Sequence, residues 1–319
     1  MKVLIGPTPA LPMAIPDLQK EFPHVQFETF MDVPDLAAAI ADADAYAGMI
    51  TRDQFLAAKK LQWIQSPSTG VDFYLVIPEL AASDVRLTSA RGTHTACVAE
   101  STMAMILGIT RGVVEAVKYQ QKHEWGFFQI RGHLVELTGS TFGLIGLGAI
   151  GRAIAKRAHA FEMRVIAVDI NTANKPDFVD ELWGLERLND LLKQADYVVV
   201  TVPGTPNSKG LIGEKEIAQM KPTAMLLGIS RGGVVDQDAL LKALKEKKIG
   251  AAALDVFVPE PLPADSELWD MPNLLITAHI SGGTQYESQY VFEILRENLG
   301  KFVRHDLPLR NQVDKRLGF

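Results

Sequence analysis

Three segments in the second half of the chain follow apolar, strand-like runs with residues that can hold an anion and move a proton. Arg231 follows the run 224–229, Glu260 follows 250–256, and His279 follows 274–277. An arginine offers paired donors to a carboxylate or a keto oxygen. Histidine ordinarily exchanges its proton near neutral pH, and a neighbouring carboxylate fixes the orientation of its ring. Together these residues predict an anion clamp with an acid–base pair.

The elements that must position these residues follow an alternating pattern. Apolar runs typical of strands alternate with stretches of helical periodicity, which predicts βαβ units and parallel sheets. Open sheets of this type bind ligands at the carboxyl ends of their strands. A longer helix is expected over about 97–123 and another over 285–303. The expected strands are 3–5, 25–27, 45–50, 63–65, 141–145, 164–168, 197–202, 224–229, 250–256 and 274–277.

A glycine-rich segment, Gly146-Leu147-Gly148-Ala149-Ile150-Gly151, joins the strand-like run 141–145 to the helix-like run 152–156. In a dinucleotide site the first glycine permits a tight turn and the second lets the backbone approach a pyrophosphate. The third lets the helix pack closely on the strand. The N-terminus of that helix attracts the phosphates. Asp169 ends the next strand, eighteen residues after Gly151, where an acid binds the ribose hydroxyls and repels a 2′-phosphate. The segment predicts an NAD site.

The position of this motif predicts the domain organisation. About a hundred residues of α/β pattern precede it, and a helix follows the last strand. We therefore expect an inserted NAD-binding Rossmann domain over 99–286 and a substrate domain formed by 1–98 plus 287–319. The expected fold class is α/β, with two Rossmann-like or flavodoxin-like domains that each contain a parallel sheet.

Composition limits the classes of partner. The chain of 319 residues is 47% hydrophobic and 22% charged, as in soluble globular proteins. Its net charge of −6 argues against nucleic acid as a partner. The longest apolar run, around 103–110, is too short to span a membrane, and no N-terminal signal is evident. A single cysteine, Cys97, fits a reducing compartment, so a cytoplasmic protein is expected. No metal site is expected.

The ordered set of motifs resembles the D-isomer-specific 2-hydroxyacid dehydrogenase family, which includes glyoxylate and hydroxypyruvate reductases, phosphoglycerate dehydrogenases, D-lactate dehydrogenases and formate dehydrogenases. The resemblance extends over nearly the whole chain. The matching segments are 65–72, 98–100, 146–151, 202–203, 230–232, 253–257, 260–261 and 277–279.

The resemblance implies a role for each site residue. Arg231 would bind and polarise a 2-keto acid, His279 would donate the proton to its carbonyl oxygen, and Glu260 would pair with that histidine. The substrate carboxylate would meet backbone N–H groups of Ser68, Thr69, Gly70 and Val71, with Arg231 and His279 also contacting substrate. The implied NAD(H) contacts are Gly146, Gly148, Ala149, Ile150, Gly151, Asp169, Val202, Pro203, Thr205, Ile229, Ser230, Arg231, Asp255, His279 and Gly282, with Asp255 facing the nicotinamide carboxamide.

The family also implies an active site in the cleft between the domains and a homodimer built on about 98–131. Three departures from its usual pattern, Gly228, Val258 and Ala278, affect expected cofactor contacts and turn stiffness rather than a catalytic group. The expected reaction is NAD(H)-dependent interconversion of a 2-keto acid and a D-2-hydroxy acid.

The substrate stays open between small 2-keto acids, such as glyoxylate or hydroxypyruvate, and acids with a second anionic group. Specificity would come from 7–13, 46–52 and the surroundings of His94, where Arg52 or Arg91 could face the substrate. Trp125 and Phe127-Phe128 could reach a partner's site or pack in the core. The alternatives are an NAD-sensing corepressor-like protein and a phosphite- or formate-type dehydrogenase.

Overall fold

The computed structural model describes residues 1–6, 15–30 and 35–318. It contains two compact units, one of Met1–His94 with Thr284–Phe319 and one of Thr95–Gly283. The expected domain boundaries, after 98 and after 286, differ from these by four and three residues. The first difference arises because a helix begins at Thr95 and continues without a break past residue 98.

The first unit is built on β1 (Lys2–Ile5), β2 (Gln26–Thr29), β3 (Ala45–Ala47), β4 (Trp63–Gln65) and β5 (Arg86–Thr88). These strands form one sheet in the order β2-β1-β3-β4-β5, with every neighbouring pair parallel. This is the strand order of flavodoxin-like folds. The helices of the unit are α1 (Ile15–Glu21), α2 (Leu36–Ile40), α3 (Arg52–Ala57), α4 (Asp72–Leu75), α5 (Pro78–Ala82) and α13 (Glu287–Val303).

The C-terminal helix α13 completes the core of the first unit. Val291, Leu295 and Leu299 recur every four residues and are buried with Phe302, which is the spacing of one helix face. The ring of Phe302 lies 5.2 Å from that of Trp63 in β4. Because this face covers the sheet, the chain's last helix belongs to the same unit as its first strand.

The second unit is built on β6 (Thr141–Ile145), β7 (Arg164–Val168), β8 (Glu181–Trp183), β9 (Tyr197–Val200), β10 (Met225–Gly228), β11 (Ala251–Leu254) and β12 (Leu274–Ile276). The sheet order is β12-β11-β10-β9-β6-β7-β8, again wholly parallel. The chain runs outward from β6 on one side and from β9 on the other, so the carboxyl ends of β6 and β9 flank the switch point where such sheets bind ligands.

The helices of the second unit cover both faces of its sheet. They are α6 (Thr95–Thr110), α7 (Val113–Gln121), α8 (Phe127–Arg131), α9 (Ala149–Ala160), α10 (Leu188–Gln194), α11 (Glu214–Ile217) and α12 (Gln237–Lys245), with 3₁₀ helices at Leu185–Arg187 and Glu267–Asp270. Alternate residues of β9 belong to different core clusters, Val198 and Val200 to one and Tyr197 and Val199 to the other. Burial on both faces explains why these strands read as unbroken apolar runs.

The predicted fold class is confirmed, since both units are α/β with parallel sheets. The single long helix expected over 97–123 is wrong, because the chain forms α6 and α7 with a bend of 64° between them. Gly112 at the break has φ +66, and a Cβ there would lie 2.4 Å from Ile130. In the described part of the chain, no single helix is long and apolar enough to cross a membrane, although α6 and α7 pass that test as a bent pair.

Candidate active site

The segments that carry Arg231, Asp255 and His279 follow three neighbouring strands, β10, β11 and β12. Backbone hydrogen bonds hold these segments in register past the strand ends. The Asp255 N–H donates to the Gly228 carbonyl oxygen at 3.0 Å, and the His279 N–H donates to the Asp255 carbonyl oxygen at 2.8 Å. The sequence-predicted residues are therefore brought to one edge of the sheet of the second unit.

His279 and Glu260 form the predicted pair. The imidazole Nδ1 lies 2.8 Å from Glu260 Oε2, and Glu260 Oε1 accepts the Phe257 N–H at 2.8 Å. Both carboxylate oxygens are thus engaged, which fixes the plane of the carboxylate and the ring that it orients. The His279 side chain is 47% exposed, and among the described residues nothing contacts its Nε2 as a hydrogen-bond partner. This nitrogen is available to a ligand.

Asp255 anchors the loop that carries His279. Its buried carboxylate accepts the Thr277 hydroxyl at 2.6 Å and the Ile280 N–H at 3.0 Å through Oδ1. Its Oδ2 accepts the Ser281 N–H at 3.1 Å. His279 itself has φ +54, a left-handed conformation that is costly for residues with a Cβ. The hydrogen bonds on both sides of His279 hold it in that conformation. Sequence reasoning missed this anchoring role, whose only signal is the threonine two residues before the histidine.

Arg231 lies on a turn that packs against the segment bearing Glu260. A Cβ on the next residue, Gly232, would lie 2.0 Å from the Phe257 carbonyl oxygen, so only glycine permits this approach. The Arg231 Nη1 donates to the Ser230 carbonyl oxygen at 2.8 Å, and its Cγ lies beside Gly204. The Arg231 turn and the Glu260 segment are therefore in direct contact.

The three glycines of the 146–151 motif differ in their surroundings as a dinucleotide site requires. Gly146 has φ +98 and tops the turn after β6. A Cβ on Gly151 would lie 2.3 Å from the Gly146 carbonyl oxygen, whereas a Cβ on Gly148 would meet nothing within 4 Å. Gly148 caps α9, and Ala149 and Ile150 are its first residues. This open backbone at a helix N-terminus fits a pyrophosphate.

Asp169, directly after β7, reaches the same motif. Its Oδ2 accepts the Leu147 N–H at 2.6 Å, and its Oδ1 accepts the Asn171 N–H at 2.8 Å. The carboxylate therefore lies beside the glycine turn, where the adenosine ribose of a dinucleotide would be expected.

The segment after β9 contributes to the same edge. The Thr201 hydroxyl donates to the Gly146 carbonyl oxygen at 2.8 Å, and Val202 and Pro203 follow directly. The Thr205 N–H donates to the Ser208 hydroxyl oxygen, and that hydroxyl lies 2.6 Å from the Pro203 carbonyl oxygen. Gly282, in the loop after His279, accepts a hydrogen bond from Cys97. Within the described ranges, no group of three or more His, Cys, Asp or Glu side chains is suited to hold a metal ion.

In the first unit, the backbone N–H groups of the predicted substrate loop 68–71 differ in whether they have an acceptor. The Ser68 N–H is used internally by the Ser66 hydroxyl at 3.0 Å, and the Ser68 carbonyl oxygen accepts the Ala90 N–H at 2.9 Å. In the part of the chain that the structure describes, the N–H groups of Thr69, Gly70 and Val71 have no acceptor. Three successive open N–H groups form a site suited to an anion.

The other candidate specificity residues differ in whether their side chains already have a partner. Arg52 forms an ion pair with Glu79, and the Arg52 Nε donates to both carboxylate oxygens of Glu79 at 3.0 Å. This ion pair raises the pKa of the Arg52 guanidinium. Tyr46 donates to the Met49 carbonyl oxygen at 2.8 Å, and burial raises the pKa of Tyr46 to about 12. Arg91 is exposed. The segment 7–13 lies outside the described residues.

Comparisons with known proteins show the family of this chain. Residues 103–281 match the model of the D-isomer specific 2-hydroxyacid dehydrogenase, NAD binding domain. Glyoxylate reductase of Pyrococcus furiosus is 33% identical over 97% of this chain and 94% of its own length. D-3-phosphoglycerate dehydrogenase of Methanocaldococcus jannaschii is 35% identical over 90% of this chain, which spans only 55% of that relative.

Among solved structures, NADPH-dependent glyoxylate/hydroxypyruvate reductase of Sinorhizobium meliloti, in complex with NADP and sulfate, has a TM-score of 0.84 at 25% identity, over 100% of both chains. The family match covers more than half of the chain and includes the glycine motif, Arg231, Glu260 and His279. The chain therefore belongs to the D-isomer-specific 2-hydroxyacid dehydrogenase family, a family of NAD-dependent oxidoreductases, with its NAD-binding domain at 103–281.

Proposed function

We propose that this protein reduces a small 2-keto acid of the glyoxylate or hydroxypyruvate type to the D-2-hydroxy acid, using NADH. The observation that carries the proposal is the His279–Glu260 pair, with Nδ1 held at 2.8 Å and Nε2 open to a ligand. A histidine oriented in this way can donate a proton to a carbonyl oxygen as that oxygen gains charge.

The roles of the surrounding residues follow from their chemistry. Arg231 binds the keto acid through its guanidinium and polarises the carbonyl. His279 donates the proton to the carbonyl oxygen from Nε2. Glu260 holds the ring and stabilises the protonated imidazole, and Asp255 holds the loop in place. When bound, NADH supplies the hydride that reaches the carbonyl carbon.

The 146–151 motif would hold the cofactor. The open space beside Gly148 and the N-terminus of α9 suit the pyrophosphate. The rest of the cofactor site would be lined by Pro203, Thr205 and the 229–231 segment. Val202, Asp255 and Gly282 would lie toward the nicotinamide. Asp169 would bind the ribose hydroxyls and repel a 2′-phosphate, so we propose a preference for NADH over NADPH, unlike the NADPH-dependent S. meliloti relative.

The loop 68–71 would bind the substrate carboxylate. The open N–H groups of Thr69, Gly70 and Val71 carry this assignment, whereas Ser68 would support the loop through its bonds to Ser66 and Ala90. A small substrate is favoured over one with a second anionic group because Arg52, one of the two candidate cations, is already paired with Glu79. The P. furiosus relative is a glyoxylate reductase.

We also propose that the protein is a cytoplasmic homodimer. Trp125 and Phe128 are 90% and 85% exposed, and Val113 and Val117 of α7 are also exposed. A group of large exposed apolar side chains in one stretch of chain is typical of an interaction surface. Light scattering should give a dimer for the wild type and a monomer for the double variant Trp125→Ser, Phe128→Ser. A wild type that is monomeric contradicts this part of the proposal.

The test of the reaction is the rate of NADH oxidation with a panel of 2-keto acids, with NADPH as the alternative cofactor. The His279→Ala variant should lose turnover by at least about a hundredfold and should still bind NADH. The ranking of acids identifies the substrate class. If NADH binds and no acid in the panel is reduced, the proposal is wrong. The functions to test next are then a phosphite- or formate-type dehydrogenase and an NAD-sensing corepressor-like protein.

A further inference from the structure

His94, which the proposed reaction leaves without a role, lies at the centre of a polar contact network in the first unit. Its Nδ1 lies 2.7 Å from the hydroxyl oxygen of Thr69 and 3.2 Å from that of Thr93. Its Nε2 lies 3.5 Å from a carboxylate oxygen of Glu287. The His94 side chain is only 15% exposed, so these contacts hold the ring from both sides.

The contact with Thr69 is the shortest of these. At 2.7 Å it is a hydrogen bond whichever of the two atoms carries the hydrogen. The Thr93 hydroxyl donates to the Ala90 carbonyl oxygen at 2.9 Å, and the Glu287 carboxylate makes an electrostatic contact with Nε2 at 3.5 Å. The hydrogen bond between Thr69 and His94 therefore fixes the side chain of Thr69.

Thr69 is the first residue of the open loop. The preceding residue, Ser68, is held by its bonds to Ser66 and Ala90, so the contact with His94 extends the restraint by one residue. Among the residues that the structure describes, the backbone N–H groups of Thr69 and of the next two residues have no acceptor. A restrained Thr69 thus sets the direction in which this group of donors points.

We propose that His94 is a positioning residue that, through Thr69, orients the 69–71 N–H groups for the substrate carboxylate, with Glu287 holding the ring. This inference rests on the proposed 2-keto acid reductase activity. A pre-oriented donor set lowers the entropy lost when the substrate binds, so its effect is expected in KM rather than in kcat.

Two substitutions at His94 separate its contacts. His94→Asn keeps a polar atom at the position of Nδ1 and loses the one at Nε2, whereas His94→Gln does the reverse. We expect His94→Gln to raise the KM for the keto acid by about three- to tenfold, the effect of losing one hydrogen bond. His94→Asn should stay within about twofold of wild type. The kcat and the dissociation constant for NADH should be unchanged in both variants.

Thr69 provides the matching half of the experiment. Thr69→Val should raise KM as His94→Gln does, Thr69→Ser should not, and the double variant Thr69→Val, His94→Gln should be no worse than the more affected single variant. His24→Ala, an exposed histidine of the same unit, controls for loss of a histidine. Melting temperatures of all variants monitor folding.

The outcomes are distinguishable. Equal KM effects of His94→Asn and His94→Gln, a wild-type KM in His94→Gln, or KM effects that multiply in the double variant would each overturn the role of His94 and leave the reductase activity standing. A wild-type protein that binds NADH but reduces no 2-keto acid would overturn the proposed function, and this inference with it.

Discussion

Alanine at two glycines of the cofactor motif should have opposite consequences. Gly151→Ala should destabilise the protein, and Gly148→Ala should leave it folded but unable to bind NADH tightly. The two substitutions add the same methyl group three residues apart. The difference therefore tests whether one glycine serves packing and the other serves the ligand.

The expected magnitudes follow from the space beside each Cβ. At Gly151 the methyl group would lie 2.3 Å from the Gly146 carbonyl oxygen, well inside the 3.0 Å that real Cβ atoms keep. The neighbour is backbone and must shift, at a cost of about 1–3 kcal/mol. Replacing glycine by alanine within a helix otherwise stabilises the folded state by about 0.5–1 kcal/mol. We expect the free energy of unfolding of Gly151→Ala to fall by about 1–2 kcal/mol.

At Gly148 the methyl group would meet nothing within 4 Å, and φ −69 is ordinary for alanine. Gly148 is, however, the N-cap of α9, where glycine is preferred over alanine, so the free energy of unfolding should fall by less than about 1 kcal/mol. The methyl group would, however, occupy the approach of the pyrophosphate. Losing one charge-assisted hydrogen bond costs about 1.5–3 kcal/mol, so the dissociation constant for NADH should rise by about ten- to a hundredfold.

The assay is urea denaturation for stability and fluorescence titration for NADH affinity, on both variants and the wild type. A Gly148→Ala protein with wild-type NADH affinity would refute the assignment of this open backbone to the pyrophosphate. A Gly151→Ala protein as stable as the wild type would refute the argument from close packing.

Three further substitutions test the catalytic and cofactor assignments. Glu260→Gln leaves one acceptor oxygen for two donors, Phe257 N–H and His279 Nδ1–H, so kcat should fall by about tenfold, with NADH affinity unchanged, in steady-state kinetics and titration. Asp255→Asn makes two donors face each other in a buried site. It should lower the free energy of unfolding by about 1–3 kcal/mol in urea denaturation and reduce kcat, and an unchanged stability would contradict the anchoring role. Asp169→Asn removes the charge beside the ribose site and should raise the ratio of NADPH to NADH efficiency by at least about tenfold.

The sequence predicted the elements whose patterns are strong. Strands of the second sheet, such as β6 and β7, were predicted to the residue because four apolar or glycine residues, buried on both faces, follow the polar first residue of each strand. Two strands were missed. β5 has three residues and includes an arginine, and β8 is a three-residue edge strand with one buried residue. Short strands of this kind carry too little periodicity to be distinguished from loops.

Some features of the candidate site can also be predicted from the sequence, and others cannot. Arg231, Glu260 and His279 are visible in the sequence because each follows a strand-like run and the ends of parallel strands meet at one edge. The bend at Gly112 is not visible, since it depends on a close approach to Ile130 from a later segment. The hydrogen bond between Thr69 and His94 also joins residues that are distant in sequence, and no spacing rule predicts it.

The end of β11 connects the two halves of the proposed catalytic pair. Asp255 directly follows this strand and holds the His279 loop through its carboxylate and its carbonyl oxygen. Six residues after the strand, Glu260 is held by the Phe257 N–H and meets His279 Nδ1. The histidine comes from the neighbouring strand, but one short segment sets both its backbone and its ring. Because one segment supplies both restraints, a shift of β11 would move the histidine and its partner together and preserve the 2.8 Å contact on which proton donation depends.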